Sequence, residues 1–230
     1  MIKSYRSLFF LRKITRKLGL NSFLFQIFYR GNSYEELFDT NFSNRILDGY
    51  CVYDVGANMG YYSLTFSKIV GDKGAVISFE PSLINFNKLN DNVKNIANIS
   101  ILNIGVGSTE GKLFISQGSD DIGATSRISE TATKYGQWVD IMTIDKIVKQ
   151  NRFPNAIKID VEGFEVEVIE GAINTLKNKE LKVIGIEVHS EILESRKIDN
   201  PIRRIEKILI ESGFTLEWTD FSHLVAYRAL

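Results

Sequence analysis

Cysteine, proline, histidine and net charge are all scarce in this sequence. Cys51 is the single cysteine among 230 residues. One thiol rules out an intramolecular disulfide and a multi-cysteine metal site, and it suits a reducing, cytoplasmic setting. With three prolines and no low-complexity tract or internal repeat, no linker between domains is evident. Lysine plus arginine equals aspartate plus glutamate at 28 each, so no whole-molecule field draws in nucleic acid, and none is expected as a partner. No run reaches the roughly twenty apolar residues that a bilayer-crossing helix needs. Residues 7–11 and 22–29 are apolar, but Lys3, Arg6, Arg12, Lys13, Arg16, Lys17 and Arg30 interrupt them. No small-residue cleavage site follows an apolar core, so secretion is not expected. This basic segment is expected to pack on the rest of the chain or on a second copy of it, with peripheral contact to an anionic membrane as the other placement.

What is present is enough apolar residue, 44% of the chain, to bury one core. The most informative stretch is Val52-Tyr53-Asp54-Val55-Gly56-Ala57-Asn58-Met59-Gly60-Tyr61-Tyr62-Ser63. Its first part reads as a buried strand beginning near Tyr50, and helical spacing follows Gly60. A glycine leaving a strand permits a turn that a Cβ would block, and a second glycine lets a ligand or strand lie close to the new helix. The helix N-terminus offers free N–H groups, and Asp54 is a fixed acceptor at the strand end. Val76-Ile77-Ser78-Phe79-Glu80-Pro81 is a second strand ending in an acid. It lies about twenty-five residues on, where nucleoside-binding folds place a ribose-binding carboxylate.

Further along, residues 33–47 read as a helix with Tyr34, Leu37 and Phe38 on one side, expected to cover the nucleotide pocket. A helix runs to Val70, a turn spans 71–74, a third strand runs from Ile99 to Ile104 into Gly105-Val106-Gly107, and a helix over 85–95 precedes it. Strand, helix, strand order with short turns implies an α/β, doubly wound, mostly parallel sheet with right-handed crossovers. Residues 111–116 and 138–144 read as strands around a polar loop from Gly118 to Gly136, whose glycines would let it close over a substrate. Asp145 is expected to cap the helix that follows.

Ile157-Lys158-Ile159-Asp160-Val161-Glu162-Gly163-Phe164-Glu165 is charge-rich for a strand. Alternation sends Lys158, Asp160 and Glu162 to one side, beside the Gly56 socket, where Asp160 and Glu162 are candidates to meet substrate. Lys158 either pairs with Glu162 or Glu165 or orients a substrate oxygen. Glu165 is expected to serve the fold by complementing a helix dipole. Glu187 and His189 alternate to one side at the end of the strand over 182–188, so they are expected to converge with Asp160. Residues 202–212 read as an amphipathic helix, and 214–218 with 223–227 as a closing hairpin in which His223 has no catalytic argument.

Asp-Val-Gly-Ala-Asn-x-Gly-x-x-Ser, Phe-Glu-Pro and Lys-Ile-Asp-Val-Glu-Gly resemble the signatures of the FkbM family of S-adenosylmethionine-dependent methyltransferases, over about Tyr50 to Arg228. The resemblance implies a Rossmann-like class I methyltransferase fold with a seven-stranded sheet at 49–230; residues 1–48 are expected, from their own pattern, to form an N-terminal helical extension. The resemblance also implies that Asp54, Gly56, Asn58 and Gly60 hold the methionine end of the cofactor and that Glu80 takes the ribose hydroxyls. The implied acceptor is a hydroxyl of a sugar, glycan or natural-product-like small molecule. Either His189 removes the hydroxyl proton, or a divalent cation such as Mg²⁺, held by Asp160, Glu187 and His189, lowers its pKa. Catechol-type O-methyltransferases, which use the metal, supply that analogy. Two other readings share this sheet: an NAD(P)-dependent dehydrogenase, which lacks here the early glycine of Gly-x-Gly-x-x-Gly, and a non-catalytic nucleoside-binding or scaffold module.

Overall fold

The computed structural model describes residues 34–116, 127–129 and 136–229. The expectations for the basic segment before residue 34 and for closure of the 118–136 loop lie outside these residues, save for a short strand at its centre. The element order opens with α1 (Tyr34–Ser43), β1 (Cys51–Val55), α2 (Tyr61–Val70), β2 (Ala75–Phe79), α3 (Leu83–Val93) and β3 (Ile99–Leu102). An inserted unit follows, of β4 (Gly105–Val106), β5 (Gly111–Ser116), β6 (Arg127–Ser129) and β7 (Gly136–Met142). The chain then runs through α4 (Ile144–Ile147), β8 (Ala156–Ile159), α5 (Glu165–Glu170), α6 (Ile173–Lys177), β9 (Val183–Glu187), α7 (Ser190–Ser195) and α8 (Pro201–Glu211). It closes with β10 (Thr215–Trp218) and β11 (His223–Tyr227).

The main sheet has seven strands in the order β10-β11-β9-β8-β1-β2-β3, and β11 alone runs against its neighbours. β1 lies between β2 and β8, parallel to both, and successive crossovers leave it in opposite directions. That makes the carboxyl ends of β1 and β8 the switch point, where such sheets open a crevice. Every side chain of β1 is buried, because helices cover both faces. Cys51, Tyr53 and Val55 face one core with Ile157, Ile159, Val168, Leu176 and Leu209; Val52 faces another with Phe38, Phe42, Phe66 and Val70.

Three expectations are corrected. On α1, Leu37 is half exposed while Phe38 and Phe42 are buried, and the helix packs on β9 and β11 instead of covering the nucleotide pocket. Two aromatic rings at i and i+4 share one face, and that face goes where the sheet is uncovered. The third strand stops at Leu102 and Gly105–Val106 joins β7 in a second, four-stranded sheet. The Asn103 side chain bonds the Glu80 and Pro81 carbonyls at the point where the chain leaves. Thr143, not Asp145, caps α4; the Asp145 carboxylate instead accepts the N–H groups of Asn174 and Thr175 and so caps α6.

Candidate active site

Gly56 takes φ +82°, and a Cβ there would lie 1.7 Å from the Asp160 carbonyl oxygen. Only glycine lets the ends of β1 and β8 meet this closely. Past that contact, the Gly56 and Ala57 N–H groups bond the Phe79 carbonyl, and Asn58, at φ +50°, donates its N–H to Glu80 Oε2 at 2.8 Å. The other Glu80 oxygen accepts the Ser82 N–H, also at 2.8 Å. Each oxygen keeps a lone pair for a further donor. Burial pushes the Glu80 carboxyl up to about 7, against those two bonds.

Gly56, Asn58, Glu80 and Asn85 line a cleft of about 690 Å³, part of it open to solvent, together with Ile104, Asp160 and Glu162. Asp54 and Gly60 stand behind it. Gly60 packs tightly, since a Cβ would be 2.6 Å from Leu89 Cδ1 on α3. Asp54 is wholly buried, accepts the Ser63 hydroxyl at 2.6 Å on Oδ2 and has no partner at Oδ1. Burial raises its pKa, with Lys158 and Ser63 acting the other way.

At the far side of the cleft the charged residues of β8 and β9 gather. Lys158 is buried and places Nζ 2.9 Å from Asp160 Oδ2 and 4.4 Å from the Tyr62 ring centre. Burial alone would lower the lysine's pKa, but Asp160 and Asp54 outweigh it and hold it charged. Lys158 thus pairs with Asp160 and not with Glu162 or Glu165. Beyond Ile159 the strand ends, and Glu162 reaches the cluster by a left-handed turn at φ +50° instead of by alternation.

His189 is the hub. Its Nδ1 lies 2.8 Å from Glu165 Oε1, an oxygen that also accepts the Gly163 N–H. Its Nε2 lies 3.4 Å from Glu162 Oε2, 3.8 Å from Glu187 Oε1 and 3.9 Å from Asp160 Oδ1. Burial would lower its pKa, yet Glu165, Glu162 and Asp160 push it up to about 9.

The expected convergence of Asp160, Glu187 and His189 is therefore present, with Glu162 closer to the imidazole than either acid. The donor atoms that fall within 4.8 Å of one another are those of Asp160, Glu162 and His189, so Glu162 takes the place given to Glu187 in a cation set. Glu165, expected only to complement a helix dipole, does lie in the first turn of α5, but it also binds His189. Gln137 gave no signal at all; from β7 it bonds the Pro81 carbonyl and the Leu83 N–H, bracing the loop after Glu80.

This sheet order, with its glycine turn after β1 and an acid after β2, is that of a class I S-adenosylmethionine-dependent methyltransferase. Solved structures agree on the fold. SMU.1697c of Streptococcus mutans, in complex with SAH, is 12% identical with a TM-score of 0.54, covering 86% of this chain and 99% of its own. Aeropyrum pernix fibrillarin, with natively bound S-adenosyl-L-methionine, is 13% identical with a TM-score of 0.51, covering 80% of this chain and 68% of its own. Residues 54–227 match the "Methyltransferase FkbM domain". The chain belongs to the FkbM family of S-adenosylmethionine-dependent methyltransferases. A curated relative, the hexuronic acid methyltransferase AglP of Haloferax volcanii, is 27% identical over 171 residues, which are 73% of this chain and 64% of that protein.

The chain's own residues fit the cofactor. Glu80 presents unused carboxylate lone pairs to the cleft, and Asp54 holds a buried oxygen without a partner. Among the described residues no helix is long and apolar enough to cross a membrane.

Proposed function

We propose that this enzyme methylates a hydroxyl oxygen of a sugar or glycan, with His189 as the proton acceptor. The observation that carries the reading is a single cleft shared by Glu80, Gly56 and Asn58 on one side and Asp160 and Glu162 on the other, with His189 beside those acids. The name of the relative from Haloferax volcanii supports a sugar as the acceptor class. When bound, S-adenosylmethionine supplies an electrophilic methyl group on a sulfonium.

In this reading Glu80 accepts the ribose hydroxyls, and Asn58 and Gly56 shape the backbone around the methionine end. Asp54 and Gly60 act from behind the cleft, Asp54 by offering its free oxygen to the ammonium and Gly60 by setting the start of α2. Lys158 neutralises Asp160 and fixes it, leaving Asp160 Oδ1 and Glu162 to hold the acceptor's hydroxyls. Glu165 fixes the Nδ1–H tautomer of His189, so that Nε2 faces the acceptor. Nε2 would take the hydroxyl proton as the acceptor oxygen is methylated. A histidine raised to about 9 is a strong base but is mostly protonated at neutral pH, and a nearby sulfonium lowers its pKa.

A second reading keeps a divalent cation, because His189, Asp160 and Glu162 offer a nitrogen and two carboxylates close together. These are donors suited to Mg²⁺ or Mn²⁺, and there a cation would lower the pKa of an acceptor hydroxyl. Against it stands Lys158, a fixed cation already within 2.9 Å of Asp160. The proposal also takes residues 49–230 as the catalytic unit, residues 1–48 as a helical extension used for packing, self-association or membrane contact, and the cytoplasm as its location.

The test is release of S-adenosylhomocysteine with methyl α-D-glucopyranoside, methyl α-D-glucuronide and a panel of neutral disaccharides, followed by mass spectrometry of the acceptor. A methyl ether on a sugar oxygen is expected. Methyl ester formation at the glucuronide carboxylate, with no methyl ether on any acceptor, would overturn the oxygen-ether reading.

A further inference from the structure

Glu187 is the last residue of β9, and across the antiparallel pair it faces His223, the first residue of β11. The two imidazoles divide its carboxylate: His189 Nε2 is 3.8 Å from Oε1, and His223 Nε2 is 3.6 Å from Oε2. These are ion-pair separations, longer than hydrogen bonds. His223 itself is fixed on every side. Its Nδ1 lies 2.9 Å and 3.0 Å from the two Asp220 oxygens, and its ring lies on Phe38 of α1 with centroids 4.6 Å apart. Asp220 accepts the N–H groups of Ser222 and His223. The side chains of Asp220 and His223 are 2% and 3% exposed, whereas that of Glu187 is 31% exposed.

We propose that Asp220 and His223 form a buried positioning pair that holds Glu187 against the acceptor, so that the closing hairpin is part of the acceptor site. A buried acid and histidine that merely closed a turn would have no need to aim the second ring nitrogen at a partly exposed carboxylate at the mouth of the cluster. In the protonated ring, Nδ1–H goes to Asp220 and Nε2–H is directed at Glu187. Glu165 likewise holds His189 at Nδ1, although there the second nitrogen is read as the proton acceptor. Carboxylate, imidazole and working group in series is a common way to fix a ring's tautomer and direction. Phe38 brings α1 into the arrangement, although α1 lies outside the residues that match the family. The inference rests on the proposal that His189 faces the acceptor, and it adds Glu187, 3.8 Å from His189 Nε2, to that acceptor site.

His223→Phe keeps the ring on Phe38 and removes the donor, while His223→Gln restores an N–H near the position of Nε2. Both are compared with Asp220→Asn, Glu187→Ala and the double variant Glu187→Ala/His223→Phe. Three measurements are made: thermal melting, S-adenosylhomocysteine affinity by calorimetry, and turnover with the two methyl glycosides named above. Crystal structures of the Phe and Gln variants locate the Glu187 carboxylate whether or not either glycoside is a substrate.

The expected result is unchanged S-adenosylhomocysteine affinity throughout. For His223→Phe, turnover falls about ten- to a hundred-fold and the Glu187 carboxylate is displaced; for His223→Gln most of the rate returns and the carboxylate stays in place. The double variant is no worse than Glu187→Ala alone, since coupled residues are not additive. An undisplaced carboxylate in His223→Phe, additive losses, or a Gln variant no better than Phe would overturn the positioning role. Should His223→Phe not fold, the comparison of Gln with Asp220→Asn decides: Asp220→Asn leaves the imidazole less firmly held and must shift Glu187 or slow turnover more than Gln does. Wild-type turnover in Glu187→Ala would refute the acceptor-site reading itself, while calorimetry shows separately whether cofactor binding stands.

Discussion

Glu165 Oε1 and His189 Nδ1 lie 2.8 Å apart, joining the helix after β8 to the turn after β9. The contact turns the imidazole so that its other nitrogen faces Glu162, Asp160 and Glu187. Glu165 is fully buried, and its second oxygen has no partner. Burying a carboxylate in this way is costly, and orienting His189 gives the cost a function.

The first prediction concerns that contact. Glu165→Gln removes the charge that steadies the imidazole but preserves shape and the bond from Gly163. Turnover should fall about ten- to a hundred-fold, with cofactor affinity unchanged. Equal losses in turnover and in S-adenosylhomocysteine binding would mean that Glu165 supports the whole loop and not His189.

Glu80 gives a pH prediction for binding. Its carboxyl is raised to about 7 by burial, so it carries a proton below that pH and is a weaker acceptor for ribose hydroxyls. S-adenosylhomocysteine affinity should therefore rise as pH increases through about 7. Glu80→Gln should flatten that dependence, and Glu80→Ala should weaken binding by about 1.5–3 kcal/mol. Calorimetry across the range checks both, and a slope that persists in the Gln variant would assign it to another group.

His189 gives two linked predictions. Its pKa is raised from 6.5 to about 9 because Glu165, Glu162 and Asp160 outweigh burial. Only the neutral ring accepts a proton, so turnover should climb with pH toward about 9, less the lowering that a bound sulfonium brings. The same shift makes a contribution to stability. That contribution is fully present below the unfolded value of 6.5 and is lost as pH rises through about 9. Melting curves of wild type and His189→Ala should converge across that window, and a gap that widens with pH would contradict the charge assignment.

Chelation separates the two readings of the acid cluster. Because Lys158 already neutralises Asp160, turnover after dialysis against EDTA should be close to that of the untreated enzyme. A loss of activity restored by Mg²⁺ or Mn²⁺ would instead establish the cation at Asp160, Glu162 and His189.

The glycine turn, Glu80, the parallel order and the hairpin were legible because each depends on neighbours within a few residues. Tyr53 and Val55 alternate toward one core, and a glycine ends the strand. The polar partnerships were less legible. Glu162 was placed by alternation, but the strand stops at Ile159 and a left-handed residue carries it in. Lys158 was paired with Glu162 or Glu165, yet it lies on Asp160. His223 offered no sequence argument because its partner Glu187 comes from strand register, 36 positions away (223 − 187).

The sequence alone determined which residues bend the backbone and which end the strands, since φ preference and hydrophobic periodicity are local properties of the chain. Which carboxylate meets which imidazole was decided only in three dimensions. Those contacts are set by register across the sheet and by the non-repeating turn at Glu162 and Gly163, and a side chain's direction there follows the packing around it, not its spacing along the chain.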